Sequence, residues 1–318
     1  MFILNFKSPL DKKYTVVIPC YNEAITIAKV VSDFKRELPS ARVVVMNNKS
    51  TDNSKQFALA AGAEVIDVTR QGKGAVVREI FRNIDADVYV MVDGDDTYPA
   101  SAVHKLIAAV IDGHADMTIG DRLSNGSYSE QNKRGFHDLG NNLVRWLVNF
   151  CFHSDLHDIM TGYRAFNKCF VENIPILSDG FEVETEMTIS ALDRKLSLCE
   201  IPIDYKDRPK GSFSKLNTFR DGFRVLKTIV SILRDYRPLL FFGSFALLAF
   251  ILGLGAGLPV LAEFVRTAYV SHVPLAILAV AFMILSGLLM TCGFILNTMV
   301  MHNRQGNELS LVRQRSVK

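Results

Sequence analysis

Between Tyr14 and Ile119 the chain alternates short β-branched runs with stretches whose apolar residues recur at helical spacing, which implies a sheet layered with helices. Tyr14 to Pro19, Arg42 to Asn47, Glu64 to Val68, Val88 to Val92 and Asp116 to Ile119 read as strands. Glu23 to Leu38, with Ile27, Val30, Val31 and Phe34 on one face, reads as a helix, as do Thr51 to Ala61, Gly74 to Ile84 and Pro99 to Ile111. The expected fold class is α/β, a mostly parallel, Rossmann-like sheet covered on both faces. Ligands of such a sheet bind beyond the carboxyl ends of its strands.

Polar clusters sit at those ends. Pro19-Cys20-Tyr21-Asn22-Glu23 follows the first strand, Asn47-Asn48-Lys49-Ser50-Thr51-Asp52 the second, and Asp93-Gly94-Asp95 the strand ending at Val92. Carboxylates at i and i+2, where a strand breaks into a loop, can both reach one hard cation that keeps positions open for pyrophosphate oxygens and water. Gly94 allows close approach of the backbone. Asp93 and Asp95 are therefore the expected ligands of Mg²⁺ or Mn²⁺, and Asp96 or Thr97 a further polar neighbour. Gly72-Lys73-Gly74 has neither the spacing of a Walker loop nor the third glycine of a dinucleotide fingerprint, and reads as a turn that brings Lys73 to a nucleotide or diphosphate.

Two later runs, Leu239 to Ala262 and Pro274 to Met301, are each long enough to cross a hydrocarbon core of about 30 Å. Arg234 and Arg237 precede the first, and Arg304, Arg313, Arg315 and Lys318 follow the second, whereas the connection offers Arg266 alone. That asymmetry places both ends, and the domain before them, on the cytoplasmic side. Phe219 to Tyr236 carries Phe219, Phe223, Leu226, Ile229, Val230 and Leu233 on one stripe and reads as a basic amphipathic helix for the headgroup plane. The expected division is 1–218 catalytic domain, 219–237 interfacial helix, 238–302 two transmembrane helices and 303–318 basic tail. Gly287 and Gly293 in the second run permit close helix packing, hence a homo-oligomer through the spans. A net charge of +3 excludes a nucleic-acid binder with a dense basic face, and five scattered cysteines without CxxC spacing read as reduced thiols.

Val17 to Glu23, Ser50-Thr51-Asp52, Gly72-Lys73-Gly74, the Asp93 and Asp95 pair and Thr161-Gly162-Tyr163-Arg164 together resemble the family 2 glycosyltransferases of GT-A fold. Within them the chain is similar to the polyprenyl-phosphate glycosyltransferases, the group of dolichol-phosphate mannose synthase and bactoprenol glucosyltransferases. The resemblance implies inverting transfer of a monosaccharide from a UDP-sugar donor to polyprenyl (undecaprenyl) phosphate at a lipid bilayer, with a downstream flippase as a partner of the product. It implies that Pro19, Tyr21 and Glu23 line the nucleotide pocket, with Asn47, Asn48 and Asp52 beside them. The family commonly has two Asp where this chain has Asn47 and Asn48. An Asn carbonyl accepts from uracil N3–H, which favours UDP over GDP; Asp52 reads equally as a helix-start residue. Arg122 and Arg134 would hold the acceptor phosphate, with Arg164, Arg208 and Lys215 as further phosphate ligands. Glu182 and Glu186 are the expected sugar contacts, sharing a face if their segment is helical, whereas a strand would align Glu184 with them. Asn142-Leu143-Val144-Arg145-Trp146 reads as a core helix with an embedded Trp. The competing functions are a processive polysaccharide synthase of the same fold and a non-catalytic membrane adaptor.

Overall fold

A computed structural model of the chain describes residues 13–125, 135–209, 227 and 230–317. The chain divides into two compact units, Met1–Gly222 and Phe223–Lys318. In the first unit the elements run β1 (Tyr14–Cys20), α1 (Ile27–Glu37), β2 (Arg42–Asn47), α2 (Ser54–Ala60), β3 (Glu64–Asp67), α3 (Lys73–Asn83), β4 (Val88–Met91), α4 (Val103–Ile111) and β5 (Met117–Asp121). There follow α5 (Gly135–Phe152), β6 (Arg164–Asn167), α6 (Lys168–Asn173), α7 (Val183–Asp193) and β7 (Leu198–Pro202).

The strands form one seven-stranded sheet in the order β3-β2-β1-β4-β6-β5-β7. Every pairing is parallel except those of β6, which runs antiparallel to both β4 and β5. The first five strands fall where the β-branched runs placed them, whereas β6 and β7 were not expected. Alternation within β1 fills the core: Val16 and Ile18 point to a cluster with Ile27, Val30, Val31 and Phe34 of α1 and Leu106 of α4. An aromatic group joins α3, β4, β6 and α6, with Phe166 stacked on Tyr89 at 5.7 Å and on Phe170 at 5.3 Å, and Phe81 edge-on at 5.6 Å. Each such side chain contributes about 1.5–3 kcal/mol by leaving water, which fixes the strand ends that carry the polar loops.

Helix α5 forms where a core helix was expected, but its Trp is not embedded. Val144, Leu147, Val148 and Cys151 are buried, while Trp146 is 59% exposed and stacks on Phe150. The cysteines are free thiols: Cys20 and Cys151 are buried, Cys169 and Cys199 half-buried, and Cys292 exposed. In the second unit, helical residues 230–236 precede α8 (Pro238–Thr267) and α9 (Val273–Val317). Helix α8 and the Val273–Ser310 part of α9 are long and apolar enough to cross a membrane. Glu263 and Arg266, expected in the connection, lie in the last turns of α8, whose helix continues to Thr267. Most of the expected interfacial helix, residues 219–226, 228 and 229, lies outside the described residues.

Candidate active site

Three loops leave the carboxyl ends of the adjacent strands β2, β1 and β4, and each bends through a non-glycine residue with positive φ: Lys49 (60°), Asn22 (54°) and Asp96 (60°). Left-handed backbone is costly away from glycine, so the loops must be held. Side chains of the second loop take the backbone donors of the first in order. The N–H of Asn22 donates to Ser50 Oγ (3.0 Å), that of Glu23 to Ser54 Oγ (2.8 Å) and that of Ala24 to Asp52 Oδ2 (3.1 Å), while Asn22 Oδ1 accepts from the Thr51 N–H (2.7 Å). The Thr26 hydroxyl donates to the Gly94 carbonyl at 2.6 Å and ties the first loop to the third.

Beyond β4 lies the charge cluster. Lys73 Nζ is 2.5 Å from Asp93 Oδ1 and 2.5 Å from Glu184 Oε1, with its side chain 9% exposed. Arg208 Nη2 lies 2.7 Å from Asp95 Oδ2, and its Nη1 3.7 Å from Glu23 Oε1. Backbone geometry brings Arg208 there, since the Lys206 N–H donates to the Thr97 carbonyl at 3.0 Å. The Thr97 hydroxyl holds Asp95 Oδ1 at 2.6 Å, and Lys29 draws Asp96 away at 2.6 Å. Burial, and then the charge of Asp93, push the Asp95 carboxyl above the ordinary carboxylate range, against the pull of Arg208. Burial alone would depress the Lys73 ammonium, but Asp93 and Glu184 hold it well above the usual lysine value.

The residues at this site fit a divalent cation. Among the described residues, these ion pairs set the carboxylates Glu23, Asp93, Asp95 and Glu184 against the cations Lys73 and Arg208. The like-charge repulsion that Asp93 exerts on Asp95 is what a hard cation relieves. A separate group, Asp121, His157 and Glu200, has ligand atoms within 4.8 Å of one another. In it Asp121 Oδ1 accepts from the Leu123 N–H, and Glu200 from the N–H groups of His157 and Asp158.

Gly162 makes the cluster possible. A methyl group at this position would overlap Asp93 Oδ2 and stand 2.8 Å from Lys73 Nζ. The Thr161-Gly162 backbone is pinned by Tyr98, whose hydroxyl accepts from the Gly162 N–H at 3.2 Å. Gly162→Ala is expected to lower catalytic turnover about a hundredfold, the cost of misplacing reacting groups by an ångström or so, while near-native circular dichroism is retained. Unchanged turnover would show that Asp93 and Lys73 need not sit where they do.

Several expected site residues are spent on the fold. Arg164 is fully buried in β6, donating to the carbonyls of Thr161 (3.0 Å) and Ile159 (2.8 Å) and to the Thr188 hydroxyl (2.9 Å); it is corrected from phosphate ligand to internal strut. Asn47 donates to Asp67 and accepts from the Ser50 N–H, and Asn48 accepts from the Gly72 N–H while donating to the Arg70 carbonyl. Their amides link β2 to the following loops, so the argument from them for uracil over guanine falls. Asp52 accepts from Ala24 and Ser54 and clamps the loop. The 182–186 segment is the start of α7, not a strand. Glu186 binds the N–H groups of Leu177 and Ser178, and Glu182 is exposed beside Gly180, so neither is in the charge cluster. The inward residue is Glu184, which the sequence grouped with Glu182 and Glu186 only on a strand; in the helix it lies one turn from Thr188 on the face opposite Glu182.

Pro19, Tyr21 and Glu23 are half-buried where β1 gives way to its loop; the Pro19 carbonyl lies beside Gly94 and Glu23 faces Arg208. Arg122 forks onto Asp158 at 2.6 and 3.0 Å and lies 5.7 Å from the ring centre of Tyr205. Arg134 and Lys215 lie outside the described residues.

A mostly parallel sheet with one reversed strand, ending in a loop-borne carboxylate pair matched by a lysine and an arginine, is the architecture of a GT-A glycosyltransferase. Solved structures agree: glucosyl-3-phosphoglycerate synthase from Mycobacterium tuberculosis, in complex with Mn²⁺ and UDP-glucose, matches with TM-score 0.55 at 19% identity over 70% of this chain and 79% of that one. The model of glycosyl transferase family 2 matches residues 15–173. Glycosyltransferase AglJ of Haloferax volcanii is 34% identical over 277 residues, 86% of this chain and 89% of that protein. A dolichyl-phosphate hexose transferase of the same organism is 30% identical over 70% of this chain and 94% of its own length. The chain belongs to glycosyltransferase family 2.

Proposed function

We propose that the protein transfers a hexose, with inversion, from a UDP-sugar to a polyprenyl phosphate at the cytoplasmic face of a membrane. The observation that carries this reading is the Asp93 and Asp95 pair at the end of β4, in a chain that also bears two membrane-length helices. Relatives named dolichyl-phosphate hexose transferase and polyprenol monophosphomannose synthase support the acceptor class. The UDP-glucose complex of the M. tuberculosis neighbour supports the donor class.

Asp93 and Asp95 would hold Mg²⁺ or Mn²⁺, whose chemistry there is neutralisation of the departing diphosphate. Pro19, Tyr21 and Glu23 would take the nucleoside. Arg122 would present its guanidinium, already oriented by Asp158, toward the acceptor phosphate, with Arg134 and Lys215 supplying further positive charge. A phosphate monoester has a second pKa near 6 and attacks the anomeric carbon as an anion, so positioning replaces a strong general base. Arg234 and Arg237 before the first apolar span, and Arg304, Arg313 and Arg315 after the second, support a cytoplasmic catalytic unit by the positive-inside rule.

The purified full-length protein, incubated with undecaprenyl phosphate, Mg²⁺ or Mn²⁺ and, in turn, UDP-glucose, UDP-N-acetylglucosamine, UDP-galactose and GDP-mannose, is expected to yield one glycolipid by mass spectrometry, lost on adding EDTA. Transfer from GDP-mannose alone would overturn the UDP donor. Nucleotide hydrolysis or polymer without glycolipid would overturn the acceptor.

A further inference from the structure

The Lys73 ammonium lies 2.5 Å from Oδ1 of Asp93, one of the two carboxylates that would hold a divalent cation. The second partner of that ammonium, Glu184, is buried, and its Oε2 has no hydrogen-bond partner among the described residues. A buried carboxylate oxygen left unpaired is costly, so a chain that keeps one has a use for the group. Other contacts fix where the Glu184 end of the bridge lies. Gly72 (φ 126°) and Gly74 pack so tightly under the 178–179 backbone that a methyl group on either would overlap a carbonyl of that segment. Arg78 reaches the carbonyls of Ile176, Leu177 and Ser178, and Glu186 holds the N–H groups of Leu177 and Ser178. The start of α3, which carries Lys73, and the approach to α7, which carries Glu184, are thus locked together independently of Asp93.

Resting on the metal reading above, we propose that Lys73 is a resident counter-ion competing with the divalent cation for Asp93, and that Glu184 is the positioning residue that keeps Lys73 paired when the cation displaces it. A buried ammonium released with no second carboxylate would be an unpaired charge beside a divalent cation, which strongly disfavours cation entry. With Glu184 in place, Lys73 gives up one of two partners and remains near the site, available to the donor diphosphate. Glu184 itself touches neither cation nor substrate in this arrangement.

Mn²⁺ binding to the full-length protein without nucleotide, followed by electron paramagnetic resonance, tests the exchange. Removing the competitor by Lys73→Met is expected to tighten Mn²⁺ binding by about tenfold, on the scale of a partly buried ion pair. Glu184→Gln is expected to weaken it by about tenfold, and that loss is expected to vanish when Lys73→Met is already present. Thermal unfolding accompanies each variant, and Lys73→Gln replaces Lys73→Met should the latter not fold. Unchanged or weaker binding in the Lys73 variants, or an equal loss from Glu184→Gln in both backgrounds, would overturn the exchange. Absence of Mn²⁺ binding by the unaltered protein would overturn the metal reading and the exchange with it.

Discussion

Asp93→Asn is expected to reduce glycosyl transfer by about three orders of magnitude, the scale on which a preorganised charge at a developing anion acts. The substitution is nearly isosteric, and the Asp93 side chain is 25% exposed, so unfolding is expected to change little. What it removes is half the carboxylate pair and one of the two partners of Lys73. Asp95→Asn should cost transfer similarly. It should also loosen the Thr97 and Arg208 contacts, since Asp95 Oδ1 accepts from Thr97 and Oδ2 faces Arg208. Turnover measured across a Mn²⁺ titration, beside the melting temperature, separates the two effects. A variant that turns over normally at saturating Mn²⁺ would move the cation site off Asp93. An equal fall in turnover and melting temperature would make Asp93 a structural residue.

The first five strands and the carboxylate pair that follows β4 were legible in the sequence because both are local. Val16 to Ile18 and Val43 to Met46 are β-branched or apolar, buried and bounded by polar turns, and Asp93 follows its strand directly. The reversed strand β6 was not legible. It is four residues long, begins with an arginine and pairs with strands more than 40 residues away on one side, with Arg164 opposite Met91 and also opposite Ile119. Only tertiary context makes a central strand of it. The roles of the polar residues divided along the same line. Glu182, Glu184 and Glu186 are equivalent by spacing until the helix phase is known, and α7 beginning at Val183 turns Glu184 inward while Glu186 serves the preceding loop. Asn47 and Asn48 looked like ligands because they stand at a strand end. Their partners are Asp67, Gly72 and Arg70, 20 to 24 residues ahead, which no local pattern announces. Trp146 was misplaced for a related reason: helical periodicity shows that α5 has an apolar face, but Val144, Leu147 and Val148 already fill it.

The same contrast between motif and strut makes Arg164 the site of the largest expected effect on stability. It is the largest fully buried side chain among the described residues, inside a strand flanked by β4 and β5, and its guanidinium meets two carbonyls and a hydroxyl. Burial lowers its pKa to about 10, with Glu184 and Asp158 opposing the fall, so it stays charged at neutral pH. Arg164→Met keeps much of the volume but leaves the carbonyls of Thr161 and Ile159 without this donor, at a cost of about 3 kcal/mol or more. In a domain of this size that lowers the melting temperature by about 6–12 °C. Arg164→Lys is expected to recover only part of the loss, because one ammonium cannot span three acceptors that a planar fork reaches. Since Thr161 leads directly into Gly162, the damage should also reach Asp93, and turnover should fall with stability. Were Arg164 a phosphate ligand instead, the melting temperature would hold and the KM for the lipid phosphate alone would rise. That outcome would require the buried guanidinium to leave its carbonyls on binding, and would overturn its assignment as a strut.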